Sequence, residues 1–128
     1  MSPIRILLDT HALIWIFDTN PTLSESARAV VADGHNHIFV SAVTAWEIAT
    51  KRSLKKLELK GDYQEGLQRY RFTSLAISAE HALAVEHLPL HHADPFDRLL
   101  IAQAQLEGLT VVTRDERFAD YGVKVIGA

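Results

Sequence analysis

The stretch Ile4-Arg5-Ile6-Leu7-Leu8-Asp9-Thr10-His11-Ala12-Leu13-Ile14-Trp15-Ile16-Phe17 decides the fold of this chain. Its first part, Ile4–Leu8, is a short apolar run of the kind found in strands that are covered on both faces. The pattern becomes helical from Thr10 to Phe17, and Asp9 stands at the junction. A strand followed directly by a helix is the repeating unit of α/β folds with a parallel sheet.

The remainder of the chain repeats this alternation. The predicted strands are Ile4–Leu8, His37–Val40, Leu75–Ile77, Thr110–Val112 and Val123–Ile126. The predicted helices are Thr10–Phe17, Ser24–Ala32, Ala42–Ser53, Tyr63–Tyr70, Ser78–His87, Pro95–Leu106 and a short one at Arg114–Ala119. Right-handed crossovers between parallel strands place the helices on both faces. The pattern therefore predicts an α/β fold in one domain, residues 1–128, with a mostly parallel sheet.

Length and composition limit the class of protein. The chain has 128 residues, 48% hydrophobic and 23% charged, which is typical of one domain with a packed core. No apolar stretch approaches the roughly 20 residues that cross a membrane, and Asp9 and His11 interrupt the only segment resembling a signal peptide. The chain has no cysteine. We therefore expect a cytoplasmic protein with no membrane partner.

The charge distribution has two interpretations. The formal net charge of −3 is a poor electrostatic basis for strong nucleic-acid binding. The segment Lys51–Arg71, however, carries seven basic side chains against three acidic ones. These are either solvated helix faces or a surface that holds an RNA backbone or an acidic partner segment.

Four acidic residues are the candidate functional residues: Asp9, Glu47, Asp97 and Asp115. Asp9 and Asp115 follow the first and fourth predicted strands, and the helix of Glu47 begins straight after the second strand. Ligands of open parallel sheets bind at the carboxyl ends of the strands, so these side chains are predicted to share one edge. Carboxylates that face one another need a proton or a cation. A divalent cation held by oxygen ligands indicates phosphate chemistry.

Asp97 has the most informative local sequence. In Asp94-Pro95-Phe96-Asp97, Asp94 is a good N-cap and Pro95 suits the first helical position. Asp97 then lies in the first turn, where the helix dipole alone would favour a carboxylate. Its same-face neighbours are apolar, however, which favours burial, and a buried carboxylate needs a partner.

Two of the other carboxylates also have ordinary structural interpretations. Asp9 would act as a helix N-cap, although Thr10 is an equally good cap and would leave Asp9 free. Glu47 and Lys51 have the i, i+4 spacing of a surface ion pair.

The turn after the fourth strand and the histidines have ordinary interpretations too. Thr113 and Glu116 have the spacing of a capping box, which leaves Asp115 as a solvated turn residue. No histidine pair has a third ligand at zinc spacing, so we expect His11 and His92 at most to orient groups near the carboxylates. The chain has no glycine-rich phosphate loop and no nucleophile elbow.

The acidic segments resemble the PIN-domain family, and more closely the VapC toxins of bacterial toxin–antitoxin pairs. The segments that resemble this family are Leu7–Leu13, Trp46–Ala49 with Lys51, Leu88-Pro89, His92–Ala104 and Val112–Asp115. The resemblance spans nearly the whole chain in order. It departs at Leu54–Leu57, where relatives often carry a glycine before Lys-Leu.

The resemblance implies a single PIN-like domain with a five-stranded parallel sheet of order 3-2-1-4-5. It also implies a type II toxin that is a Mg²⁺- or Mn²⁺-dependent endoribonuclease of RNA. Homodimers are common in the family, and a cognate antitoxin inhibits the enzyme by inserting a segment into the active-site groove.

On this basis each candidate residue has an expected role. Asp9 and Asp97 would be the primary metal ligands, and Asp115 and Glu47 would complete the site and position the attacking water. Thr113 would donate a hydrogen bond to a carboxylate or to that water. Two alternatives stay open: a catalytically silent module whose acidic groove docks a basic segment, and a metal-dependent phosphatase of small substrates.

Overall fold

A computed structural model of the chain describes residues 3–128, so the first two residues of the predicted domain lie outside it. Within this range the strands are β1 (Arg5–Leu8), β2 (His37–Ser41), β3 (Thr73–Leu75), β4 (Thr110–Thr113) and β5 (Val125–Gly127). The α-helices are α1 (Thr10–Phe17), α2 (Glu25–Ala32), α3 (Ala42–Ser53), α4 (Tyr63–Arg69), α5 (Ala79–Ala84) and α6 (Pro95–Glu107). Two 3-10 helices, Val85–His87 and Glu116–Tyr121, stand where α-helix was predicted.

The five strands form one parallel sheet in the order β3-β2-β1-β4-β5. Strand β1 is central, and Leu8 pairs with Val40 of β2 on one side and with Val112 of β4 on the other. This confirms the strand order that the family resemblance implies. The carboxyl ends of β1, β2 and β4 therefore lie side by side.

Helices cover both faces of the sheet, as predicted, because side chains along a strand alternate between faces. Ile6 and Leu8 face a core that includes Leu13 of α1, whereas Leu7 faces a second core with Leu100 and other residues of α6. All of these side chains are fully buried. Burying one aliphatic side chain contributes about 1.5–3 kcal/mol, so these two cores fix the position of β1.

The two edge strands lie elsewhere than predicted. Strand β3 begins two residues before the predicted Leu75–Ile77, and β5 begins two residues after the start of the predicted Val123–Ile126. Arg71 has a left-handed φ of 59°, which turns the chain after α4 so that Thr73 pairs with Phe39. An edge strand pairs on one side only, and the residues of β3 and β5 are partly or fully exposed. The pattern of apolar residues therefore does not indicate where these strands begin and end.

Arg98 and the Tyr121 hydroxyl fix the backbone of the segment between α5 and α6. The guanidinium of Arg98 donates to four backbone carbonyls, those of Val85 (3.0 Å), Leu88 (3.1 Å), Pro89 (3.0 Å) and His92 (3.2 Å). This arginine clasp positions His92 at the carboxyl edge of the sheet.

None of the helices between residues 3 and 128 is long and apolar enough to cross a membrane.

Candidate metal centre

A cavity of about 500 Å³ lies at the carboxyl edge of the sheet, and all four predicted carboxylates line it. Its lining comprises acidic, basic and aromatic side chains: Asp9, Thr10, His11, Trp15, Glu47, Lys51, His92, Asp94, Asp97, Arg114, Asp115 and Arg117. A second, largely apolar cavity of about 550 Å³ adjoins it and shares Trp15. The structure thus brings together side chains from four separate parts of the chain; the strand-end argument predicted this for Asp9, Glu47 and Asp115, and Asp97 joins them from α6.

Asp9 is both the N-cap of α1 and a wall of the carboxylate cavity. Its Oδ1 accepts from the backbone N–H of Ala12 at 2.8 Å, and its Oδ2 accepts from the Thr113 hydroxyl at 2.5 Å. The expectation that Thr10 would relieve Asp9 of capping is wrong, because Thr10 is already helical and its hydroxyl donates to Glu47 at 2.6 Å. Burial raises the pKa of Asp9 above its ordinary value.

Asp97 lies in the first turn of α6, as predicted. The helix starts as the sequence indicates, since the Oδ1 of Asp94 accepts from the backbone N–H groups of Phe96 (2.8 Å) and Asp97 (3.1 Å). Burial and then the negative charges of Asp94, Glu47, Asp9 and Asp115 raise the pKa of Asp97 to about 8. The carboxylates are therefore close enough to repel one another, and this repulsion adds to the effect of burial on Asp97.

Glu47 is buried, with 3% of its surface exposed. Its Oε1 accepts from Thr10, and its Oε2 pairs with the ammonium of Lys51 at 2.5 Å. The predicted Glu47–Lys51 pair is thus present, but it lies in the wall of the cavity and not on a solvated helix face. The Lys51 ammonium thus places one positive charge next to the carboxylates of the cavity.

Asp115 caps the 3-10 helix that follows β4. Its Oδ1 accepts from the backbone N–H of Arg117 at 3.0 Å, and the guanidinium of Arg117 binds both carboxylate oxygens at 3.0 and 2.8 Å. These bonds lower the pKa of Asp115 to about 2. The predicted capping box of Thr113 and Glu116 is wrong, because the Thr113 hydroxyl accepts from the Asp115 N–H at 3.0 Å and donates to Asp9.

The buried ring of His92 connects two of the carboxylates. Its Nδ1 accepts from the backbone N–H of Asp94 at 3.2 Å, so the proton resides on Nε2. That Nε2 lies 2.9 Å from Asp97 Oδ2 and 2.8 Å from Asp115 Oδ2, within hydrogen-bond distance of both. Sequence reasoning placed His92 near the carboxylates but did not foresee this bridge. His11, in contrast, lies exposed at the rim beside Trp15.

The donor set fits a hard divalent cation. Potential ligand atoms of His92, Asp97 and Asp115 lie within 4.8 Å of one another, and Asp9 and Glu47 line the same cavity. The Nε2 of His92 lies between the two carboxylates, so this ring also positions Asp97 and Asp115. Glu47 and Asp115 have basic partners, whereas no Lys or Arg within residues 3–128 forms a salt bridge with Asp9 or Asp97. Carboxylate oxygens are the ligands that Mg²⁺ and Mn²⁺ prefer.

The fold and the site are thus a parallel sheet of order 3-2-1-4-5 with a carboxylate cavity at the carboxyl ends of its central strands. The chain belongs to the PIN domain family, whose model matches residues 6–124. No curated protein is significantly similar to it in sequence.

Solved structures of toxin–antitoxin complexes have the same fold. A chain of VapBC2 from Rickettsia felis, bound to a DNA fragment from its promoter, matches with a TM-score of 0.70 and 18% identity over 97% of this chain and 98% of that chain. DNA-bound VapBC from Salmonella typhimurium matches with a TM-score of 0.67 and 18% identity over 97% and 98%. A toxin–antitoxin complex from Klebsiella pneumoniae matches with a TM-score of 0.64 and 22% identity over 94% and 95%. At these identities the likeness concerns the fold.

Proposed function

We propose that this protein is a VapC-type toxin of a type II toxin–antitoxin system, and that it is a metal-dependent endoribonuclease. One observation carries the proposal: carboxylates from four parts of the chain line one cavity, where burial and then the neighbouring negative charges raise the pKa of Asp97 to about 8. Membership of the PIN domain family and the fold shared with VapBC complexes support it.

In this proposal Asp9 and Asp97 hold a Mg²⁺ or Mn²⁺ ion, and Asp115 and Glu47 complete the site. When bound, the cation lowers the pKa of a water molecule and neutralises charge on the scissile phosphate. Thr113 keeps Asp9 oriented by donating to its Oδ2.

The remaining polar side chains prepare the site for an anionic substrate. His92 holds Asp97 and Asp115 at a fixed separation through its Nε2. Lys51 and Arg117 line the cavity and offset part of its negative charge, which reduces the repulsion that a phosphodiester meets.

The test compares Asp97→Asn with the wild type on a single-stranded RNA, with Mg²⁺ and with a chelator. Loss of cleavage in the variant and in chelator is expected. Glu80→Gln is a matched control, because Glu80 also stands in the first turn of a helix but is exposed and outside the cavity. Cleavage by Asp97→Asn or in chelator would refute the metal mechanism.

Two further outcomes separate the alternatives. Tight binding of a basic segment without any RNA cleavage would favour the catalytically silent module. Hydrolysis of a generic phosphomonoester in preference to RNA would favour the phosphatase.

The proposed partners are RNA, a cognate antitoxin and a second copy of the chain, all in the cytoplasm. The solved relatives crystallised as toxin–antitoxin complexes, and here an acidic cavity adjoins an apolar one, which suits a segment with both basic and apolar side chains.

Leu83 and Leu90 are 67% and 86% exposed and offer apolar area for a dimer. Sedimentation of Leu83→Glu tests this contact, and an unchanged mass would argue against it.

A further inference from the structure

An aromatic residue directly precedes a cavity carboxylate on each of two helices. Trp46 precedes Glu47 on α3, and Phe96 precedes Asp97 on α6. The two rings meet edge to face, with centroids 4.5 Å apart and an interplanar angle of 66°. This aromatic pair does not line the carboxylate cavity itself, but each ring belongs to the residue next to one that does.

The aromatic pair is open to solvent on the Trp46 side. Trp46 is 51% exposed, although its ring could bury more apolar area than any other side chain of the helix. The other tryptophan differs, since the guanidinium of Arg114 lies 4.2 Å from the centroid of the Trp15 ring and covers it. Trp46 therefore presents a ring to solvent outside the cavity, whereas Trp15 lines the two cavities and has Arg114 against one face.

A cation accompanies the aromatic pair. The ammonium of Lys51 lies 6.0 Å from the Phe96 ring centroid and also lines the carboxylate cavity. Exposed aromatic rings beside cations are the elements with which proteins bind single-stranded nucleic acid, because the ring stacks on a base while the cation attracts the phosphate. An exposed aliphatic patch would lack both elements.

We infer that Trp46 and Phe96 form a base-stacking subsite that takes one unpaired base of a nucleotide flanking the scissile phosphate. This inference rests on the proposed function, since it assigns a binding determinant to the same cavity. Trp46 supplies the stacking face, Phe96 fixes the orientation of Trp46, and Lys51 contributes positive charge near the backbone of that nucleotide. Stacking does not select a base by hydrogen bonds, so the subsite requires an unpaired base without fixing its identity.

The first experiment measures RNA binding in the full chain carrying Asp97→Asn, to prevent cleavage. The probe is a labelled single-stranded oligoribonucleotide of mixed sequence, followed by fluorescence anisotropy. Trp46→Ala is expected to weaken binding roughly 5- to 100-fold, and Trp46→Phe by much less, because stacking of one base is worth about that factor. Leu54→Ala is the matched control, since Leu54 is 58% exposed at the end of the same helix and carries no ring.

The probe itself provides a second test. Each oligoribonucleotide of a series carries one abasic nucleotide, placed at a different position. We expect that at one of these positions the missing base weakens binding to the Asp97→Asn parent protein as much as the Trp46→Ala substitution does. At that position the abasic probe binds the parent and Trp46→Ala equally, because the same contact is missing in both. Equal binding of the whole series by the parent would overturn the inference.

Tryptophan fluorescence tests the native side chain directly. The chain has two tryptophans, so Trp15→Phe leaves Trp46 as the only one. Its emission is expected to be quenched by the oligoribonucleotide and not by the probe with the critical abasic position. Sedimentation of Trp46→Ala decides whether Trp46 contacts RNA or a second copy of the chain. If the substitution dissociates an oligomer and no abasic position weakens RNA binding, Trp46 belongs to a subunit contact and the inference is overturned.

Failure of this inference differs from failure of the proposed function. If Trp46→Ala cleaves and binds RNA as well as the wild type, the stacking subsite is refuted while the nuclease stands. If the wild type cleaves no RNA and Asp97→Asn binds none, the proposed function fails and the inference fails with it.

Discussion

Asp97→Asn is expected to stabilise the metal-free protein, and to do so increasingly as the pH rises. An unfolded chain holds aspartate at its ordinary pKa of about 3.9, whereas burial and neighbouring carboxylates raise that of folded Asp97 to about 8. Between these values the folded state keeps a proton that the unfolded state has released. Stability is therefore lost as the pH rises from about 4, and the loss is complete above about 8.

The size of the effect follows from the shift. Each pKa unit corresponds to about 1.4 kcal/mol, so a shift from about 3.9 to about 8 sets an upper bound of about 6 kcal/mol. The Asp97 side chain is 22% exposed, and water and salt screen part of the repulsion. We expect about 1–3 kcal/mol at pH 8, or roughly 3–10 °C in melting temperature for a chain of this size. The amide oxygen that Asp97→Asn introduces would still accept the hydrogen bond from His92.

The assay is urea unfolding in chelator at successive pH values from 4 to 9, for the wild type, Asp97→Asn and the control Glu80→Gln. The curves of the wild type and Asp97→Asn should nearly coincide at pH 4 and diverge up to pH 8. Asp9 remains in both proteins, and its pKa is also raised. The stability of Asp97→Asn should therefore still fall as the pH rises, but less steeply than that of the wild type. A stability difference that is the same at every pH would refute the claim that the cavity holds Asp97 protonated.

Three other expectations concern the same cavity. Added Mg²⁺ should stabilise the wild type by about 2.7 kcal/mol at a concentration of 100 times Kd, and calorimetry should show this as a higher melting temperature. The same Mg²⁺ should have little effect on the melting temperature of Asp97→Asn. Thr113→Val should cost about 1–3 kcal/mol in urea unfolding and lower cleavage, because Asp9 Oδ2 and the Asp115 N–H each lose a partner, whereas Thr113→Ser should retain most of both. Arg117→Gln should raise the pKa of Asp115 from about 2 toward its ordinary value, so that cleavage is lost at a higher pH on acidification and the stability that ionised Asp115 contributes near neutral pH becomes smaller; an unchanged acid limb in the pH–rate profile would contradict this.

Features set by local sequence could be predicted from the chain alone. The start of α6 was predicted to the residue, because an aspartate cap followed by Pro95 is a complete local signal. The central strands were also predicted within a residue or so, since burial on both faces gives continuous apolar runs. The convergence of Asp9 and Asp115 followed from a general property of parallel sheets.

Features set by contacts between distant residues could not be predicted. The hydrogen bond from Thr113 to Asp9 joins residues 104 apart, and no local pattern encodes it. The same holds for the bridge by His92, whose position depends on the path of the segment before α6. The choice of Asp9 over Thr10 as the cap of α1 was decided by Glu47, which engages the threonine hydroxyl.

The arginine clasp has an evolutionary consequence. Arg98 recognises only main-chain oxygens of residues 85–92, so the side chains of that segment contribute nothing to the clasp. Selection can therefore change an exposed side chain such as Glu86 without breaking the clasp that positions His92. Arg98 and Tyr121 thus hold His92 at the carboxyl edge of the sheet independently of the side chains that residues 85–92 expose.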